Sequence, residues 1–163
     1  MNNTITSEEP NIHWGFLNVQ GRTVLDLGSS KFAATKSTPE YFIEEGAIKV
    51  IGIDLGLDTE YQNPSFTMIP MHISSKDQLQ GLIDEHQPDV IKADIEGAEA
   101  HFKEIQSLPN VVELAIEYHD NDLKNLIESK LAEWGFDNWD LYQLFDIETE
   151  RMGVLHAKKH TSQ

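Results

Sequence analysis

The stretch Val90-Ile-Lys-Ala-Asp-Ile-Glu-Gly-Ala-Glu99, VIKADIEGAE, decides the fold. Its apolar run closes among Lys92, Asp94, Glu96 and Glu99, where a buried strand should hand over to a helix. A segment that only filled a core would not need one lysine and three acids there. Two readings follow. In the first, Glu96 and Glu99 are an acid-rich helix start on a solvated rim, each worth about 0.3–1 kcal/mol against the helix dipole, with Lys92 paired on the same rim. In the second, the charges line a pocket.

Working outward, short apolar runs alternate with helix-like segments. Upstream, RTVLDLG reads as a buried strand stopped by Gly28, and IKVIGIDLG as a second strand. Between them TPEYFIEEG reads as a helix with Thr38 as N-cap, Pro39 at the first helical position and Gly46 as its stop. SFTMIPMHI is a third strand, broken or at an edge because of Pro70. SSKDQLQGLIDEHQP is a helix capped by Ser74 or Ser75, with Leu79, Leu82 and Ile83 on one face. After the fourth strand, DVIKADI, come a helix in EGAEAHFKEIQSLP, a fifth strand in NVVELAIEY, and the most regular helix in NDLKNLIESKLAEWGF. There Leu123, Leu126, Ile127, Lys130, Leu131 and Trp134 follow the 3.6 period and Gly135 ends it. The tail NWDLYQLFDIETERMGVLHAKK holds two strand-like runs with no helix between them, so they should pair antiparallel. Residues 1 to about 12 and 160 to 163 read as loose ends.

The expected fold class is therefore α/β: one domain over residues 1–163, ordered from about 13 to 159, with a mostly parallel, doubly wound sheet. Its antiparallel C-terminal strand departs from the dinucleotide-binding dehydrogenases and resembles the Rossmann-like fold of methyltransferases.

Composition narrows function. A chain of 163 residues suits one compact domain. It has no cysteine, which excludes disulfides, thiolate metal sites and cysteine nucleophiles and fits a reducing cytoplasm, the expected localisation. No apolar run approaches the roughly 20 residues that span a membrane, and the first residues lack a signal-peptide layout. The net charge of −16, from 28 acidic against 12 basic side chains, repels polyanions, so neither nucleic acid nor membrane is an expected partner.

In a doubly wound sheet the ligand lies at the carboxyl ends of the strands, where strand order reverses. The first strand brings Asp26, Gly28, Ser29 and Ser30 there. A carboxylate beside Gly28 suits a cationic ligand group better than a pyrophosphate. The second strand ends in Asp54, with Leu55 beside it, placed to accept hydrogen bonds from two ribose hydroxyls. Two successive strands closed by acids read as nucleoside binding. His72 ends the third strand, Asp94 ends the fourth, and Glu117, Tyr118 and His119 leave the fifth.

VIKADIEGAEAHFKEI resembles the signature of FkbM-type methyltransferases, roughly I-K-[ILM]-D-[VI]-E-G-x-E, at Lys92, Asp94, Glu96, Gly97 and Glu99. LPNVVELAIEYHD and LAEWGFDNWDLYQL resemble the family's following segments, so the likeness runs from about residue 20 to 158. It implies S-adenosylmethionine as cofactor, S-adenosylhomocysteine as product, and methyl transfer to a hydroxyl oxygen of a small molecule or sugar. Asp26, Gly28, Ser29, Ser30, Asp54, Leu55, His72 and Asp94 are then the expected cofactor-binding residues. Asp94, Glu117 and His119 are the expected catalytic ones, with His119 as base. Asp94, Glu96, Glu117 and His119 offer ligands enough for Mg²⁺, although no spacing demands a metal. Two departures stand out: Ser30 and Phe32 or Ala33 replace the further glycines of the family's first motif, and only LGLDTEYQNPS separates Asp54 from the third strand.

Other classes fail at named positions. GSSKFA has one glycine where nicotinamide binding wants G-x-G-x-x-G. The first strand lacks the paired acids of a receiver domain, and there is neither a G-x-S-x-G elbow nor a P-loop. The remaining alternative is a degenerate methyltransferase-like domain that binds a partner, with Trp14, Phe16, Trp139 and Tyr142 near the two ends of the chain. A homodimer, closing an otherwise open acceptor groove, is a further expectation.

Overall fold

The computed structural model describes residues 3–29, 36–56, 60–144 and 152–160. In chain order the elements are β1 (Asn3–Ile5), α1 (Pro10–His13), β2 (Thr23–Leu27), α2 (Thr38–Glu44), β3 (Lys49–Ile53), β4 (Phe66–Ile69), α3 (Lys76–His86) and β5 (Val90–Ala93). A 3-10 helix (Ala98–Glu104), β6 (Glu113–Tyr118), α4 (Asn121–Leu131), β7 (Asn138–Leu144) and β8 (Gly153–Lys158) complete it. The strands form one sheet in the order β1-β7-β8-β6-β5-β2-β3-β4. β4, β3, β2, β5 and β6 run parallel to their neighbours, and β8 lies antiparallel between β6 and β7, as expected of the tail. The chain leaves β2 through β3 to β4 on one side and returns to β5 and β6 on the other. The reversal of order, and hence the crevice, falls between β2 and β5.

The central strands are buried on both faces, which is why they read as unbroken apolar runs. Leu25, Leu27, Ile51, Ile91, Leu114 and Ile116 pack against α3, the 3-10 helix and α4. Val24, Val50, Val90 and Ala115 face Trp14, Leu17, Val19, Tyr41 and Phe42 on the other side. β4 stops before Pro70 at the sheet edge, where the missing N–H of proline costs no ladder bond. Among the described residues no helix is long and apolar enough to cross a membrane.

Three local expectations are corrected. The cap of α2 is Ser37, whose hydroxyl accepts from Glu40 N, and Thr38 instead begins the helix and turns inward. The segment after Gly97 is a 3-10 helix rather than an α-helix. Within it Glu99 and Phe102, three residues apart, are both buried, and Ile105 and Leu108 continue that spacing beyond its end. Finally, residues 3–12 are not loose ends. β1 pairs with Tyr142–Leu144 of β7, and α1 brings the buried His13 and Trp14 onto the sheet.

Candidate active site

At the carboxyl ends of β2, β3 and β5 lies a cleft of about 200 Å³ lined by Gly28, Ile53, Asp54, Leu55, Met71, His72, Ile73, Asp94, Ile95, Glu96 and Ala98. A wider one of about 740 Å³ adjoins it across Asp54 and Leu55, over the edge strand β4, with Tyr61, Phe66 and Met68 in its wall. The expected residues Gly28, Asp54, Leu55, His72 and Asp94 thus converge. Asp54 is half-buried, and its Oδ1 accepts from Gly56 N at 2.7 Å, which fixes the carboxylate at the rim between the clefts. Leu55 is 69% exposed, a large apolar side chain held at the mouth of a nucleoside-sized space.

Asp26 and Ser29 do not face that cleft. Asp26 is fully buried, with Lys92 Nζ 3.0 Å from Oδ1 and Thr38 Oγ1 donating to Oδ2, so its carboxylate is spent inside the fold. Ser29 is buried too, its hydroxyl donating to Asp26 O at 2.9 Å. Ser30 lies outside the described residues. Lys92 is not on a rim: it is fully buried, its Nζ donates to Gly28 O at 2.6 Å and sits 5.0 Å above the Trp14 ring. The register explains this, because Asp26 and Lys92 are direct partners on β2 and β5 and point to the same face. Gly28, at φ +76, packs primarily on protein: a Cβ there would stand 1.7 Å from Asp94 O. Only glycine lets the β2 loop lie against the end of β5.

Beyond Asp94 the three expected catalytic side chains meet. Asp94, Glu117 and His119 each offer a ligand atom, all within 4.8 Å of one another. Exposed Glu96 stands outside this cluster, in the cleft wall. His13, which sequence patterns did not single out, joins from α1, with Nε2 3.4 Å from Glu117 Oε2. Glu99, expected as surface decoration, is fully buried and lies 3.7 Å from His119 Nε2. Its signal was in the sequence, as the first member of the three-residue repeat. His13 had none, being brought in by a four-residue helix.

Burial pushes the Asp94 carboxyl up to about 6; Glu117 and Glu99 add to the rise, while Lys92 and His13 oppose it. The Glu99 carboxylate 3.7 Å away lifts His119 to about 9, with the charges of Glu117 and Asp94 adding and burial opposing. His119 is therefore an imidazolium at neutral pH and has no lone pair to take a proton. The pair thus sets a cationic His119 beside an Asp94 carboxylate more basic than an ordinary one.

No protein-family model and no curated protein matches the sequence. Solved structures do. The MycE methyltransferase of the mycinamycin biosynthetic pathway, in complex with Mg, SAH and mycinamycin VI, superposes with a TM-score of 0.57 at 13% identity over 91% of this chain and 44% of its own. A Streptococcus pneumoniae protein described as a tRNA (m1A22) methyltransferase, bound to S-adenosyl-L-methionine, gives 0.60 at 15% identity over 97% and 75%. The ribosomal protein L11 methylase of Lactobacillus delbrueckii subsp. bulgaricus gives 0.55 at 15% over 93% and 77%. The chain has the Rossmann-like fold of S-adenosylmethionine-dependent methyltransferases, and spans less than half the length of MycE.

Proposed function

We propose that the protein is an S-adenosylmethionine-dependent methyltransferase of the FkbM type, acting on a hydroxyl oxygen of a sugar or other small molecule. One observation carries the reading: the wall of the smaller cleft runs from Asp54 past Gly28 to Asp94, and Asp94 also belongs to the cluster with Glu117 and His119. The residues fit the cofactor. Asp54 is set to accept from the ribose hydroxyls, Leu55 and His72 to flank the adenine, and Asp94 to face the cationic methionine end. The bound cofactor supplies an electrophilic sulfonium methyl and a neutral thioether leaving group.

Methyl transfer is an in-line displacement, so the chain contributes alignment and a proton acceptor. Asp94, with its pKa of about 6, is mostly ionised at neutral pH yet basic enough to take the hydroxyl proton as the bond to carbon forms. Glu117 keeps that basicity up, and the His119 imidazolium holds the acceptor oxygen by donation. The same trio, two carboxylates and an imidazole, suits a hard divalent cation such as Mg²⁺, which would bind the acceptor oxygen and displace the His119 proton. The net charge of −16 argues against tRNA or another polyanion as acceptor.

Isothermal titration with S-adenosylmethionine and S-adenosylhomocysteine tests the reading, with micromolar binding of both expected. No heat from either at millimolar concentration would replace it with that of a non-catalytic binding domain. Repeating the titration with Mg²⁺ tests the cation site.

A further inference from the structure

The signature residues divide into two kinds, and Glu99 belongs to the less obvious one. Asp94 and Glu96 reach the cleft, whereas Glu99 is fully buried beneath it. Its Oε1 accepts from Ile95 N at 2.8 Å and its Oε2 from Gly97 N at 2.6 Å. Both donors precede the 3-10 helix, so the carboxylate closes the turn between β5 and that helix instead of capping a helix dipole. The turn is unusual in itself. Glu96 has φ +46 and Gly97 φ +97, two successive left-handed residues of which the first is not glycine. Such a residue is strained and persists only where its surroundings over-determine it. Ile95 and Glu96 are wall residues of the smaller cleft. The oxygen that receives Ile95 N also lies 3.7 Å from His119 Nε2, across on the end of β6.

We propose that Glu99 is the positioning residue of the site: one buried carboxylate fixes the turn that walls the cofactor cleft and, through the same oxygen, the orientation of His119 beside Asp94 and Glu117. Cofactor affinity and the geometry of the acceptor-side cluster are then set by a side chain that touches neither ligand. Both oxygens are needed. A glutamine keeps one acceptor and turns an NH₂ toward the other backbone N–H, which opens one side of the turn while preserving size. The inference rests on the proposed function, because the wall matters only if a cofactor lies against it.

The test measures S-adenosylhomocysteine affinity by isothermal titration, well below every variant's melting temperature, beside a melting curve. Three variants are compared with the parent. Glu99→Gln is expected to weaken binding at least about tenfold. Gly97→Ala attacks the turn from its other side: nothing lies within 4 Å of the added methyl, so it disturbs only a backbone angle that alanine rarely adopts, and a similar loss is expected. Should Glu99→Gln fail to fold, Gly97→Ala alone decides. Glu113→Gln, at the opposite end of the sheet, is the control and should lower the melting temperature with affinity within twofold of the parent. Glu99→Gln and Gly97→Ala variants that melt early but bind like the parent would reduce Glu99 to a purely structural acid and overturn the inference alone. A parent that binds no S-adenosylhomocysteine overturns the proposed function and this inference together.

Discussion

Two buried acid–histidine clusters sit at opposite ends of β6, and they are built differently. At the amino end Glu113 is satisfied on every side. Oε1 meets His156 Nε2 at 2.7 Å and accepts from Asn18 N at 3.2 Å, while Oε2 accepts from Arg22 at 2.7 Å. Burial works to raise its pKa, but His156, Asn18 and Lys158 outweigh it and hold the carboxyl below the ordinary range. At the carboxyl end Glu117 and Asp94 face each other with looser partners, His13 at 3.4 Å and His119 3.7 Å from Glu99, and Asp94 is pushed up. The amino-end cluster spends its charges on the fold. At the carboxyl end burial and like charge instead leave Asp94 perturbed beside a cleft, an arrangement common where a site tunes a pKa. Burial of a histidine with a glutamate is therefore no mark of function by itself. The direction in which the surroundings push the carboxyl, down at Glu113 and up at Asp94, separates the two.

The comparison breaks most visibly at Glu113. Glu113→Gln should cost roughly 3 kcal/mol, because it strips three donors of their charged acceptor, and lower the melting temperature by roughly 6–12 °C for a domain of this size. A loss below roughly 1 kcal/mol in denaturant unfolding would mean the amino-end cluster is not structural.

Asp94→Asn should move stability the other way. A folded pKa raised above the unfolded one penalises the ionised folded state, so this contribution falls as pH rises from about 4 to about 6 and stays low above that. Removing the charge should stabilise the protein by about 1–3 kcal/mol at pH 8 and leave pH 4 unchanged, while S-adenosylhomocysteine binding weakens about tenfold. Denaturant melts at both pH values with one titration would check it, and a destabilised Asp94→Asn would contradict the strained-site reading.

Asp54→Ala has the next largest expected effect, and it is confined to binding. Losing a carboxylate that accepts from two hydroxyls should weaken the cofactor about tenfold, or about 1.4 kcal/mol, with little change in melting because Asp54 sits at an exposed rim. Parental affinity would remove Asp54 from the ribose site.

The comparison is sharpened last through His119, whose effect is read in the pH profile. Its folded pKa of about 9 lies above the ordinary value of 6.5, so its stabilising contribution is complete below about pH 6.5 and fades as pH rises through about 9. Histidine NMR of the metal-free protein should show one imidazole titrating near pH 9, and His119→Asn should flatten the stability profile between those limits. An imidazole titrating near 6.5 would show that Glu99 does not hold it.

The central strands were legible because each is buried on both faces and announces itself as an apolar run, and the missing helix before β8 announces its antiparallel direction; their order in the sheet was not. Asp54, Asp94, Glu117 and His119 were legible for a related reason: in a doubly wound sheet the last residue of each strand is already at the ligand edge. Composition likewise fixed the acidity of the surface and the absence of thiol chemistry.

Direction and spending of charge were decided only by the folded chain. Whether Asp26 faces a ligand or Lys92 depends on the register of β2 against β5, which brings together residues 66 positions apart and leaves no trace in either segment alone. His13 reaches Glu117 because α1 packs on a sheet face formed by strands far down the chain. Glu99 looks like a solvated helix start until Phe102 on its own face of the 3-10 helix, and Ile105 and Leu108 beyond it, pack into the core. A sequence states which groups carry charge; the low dielectric and the neighbours that decide what each charge does exist only after long-range contacts form.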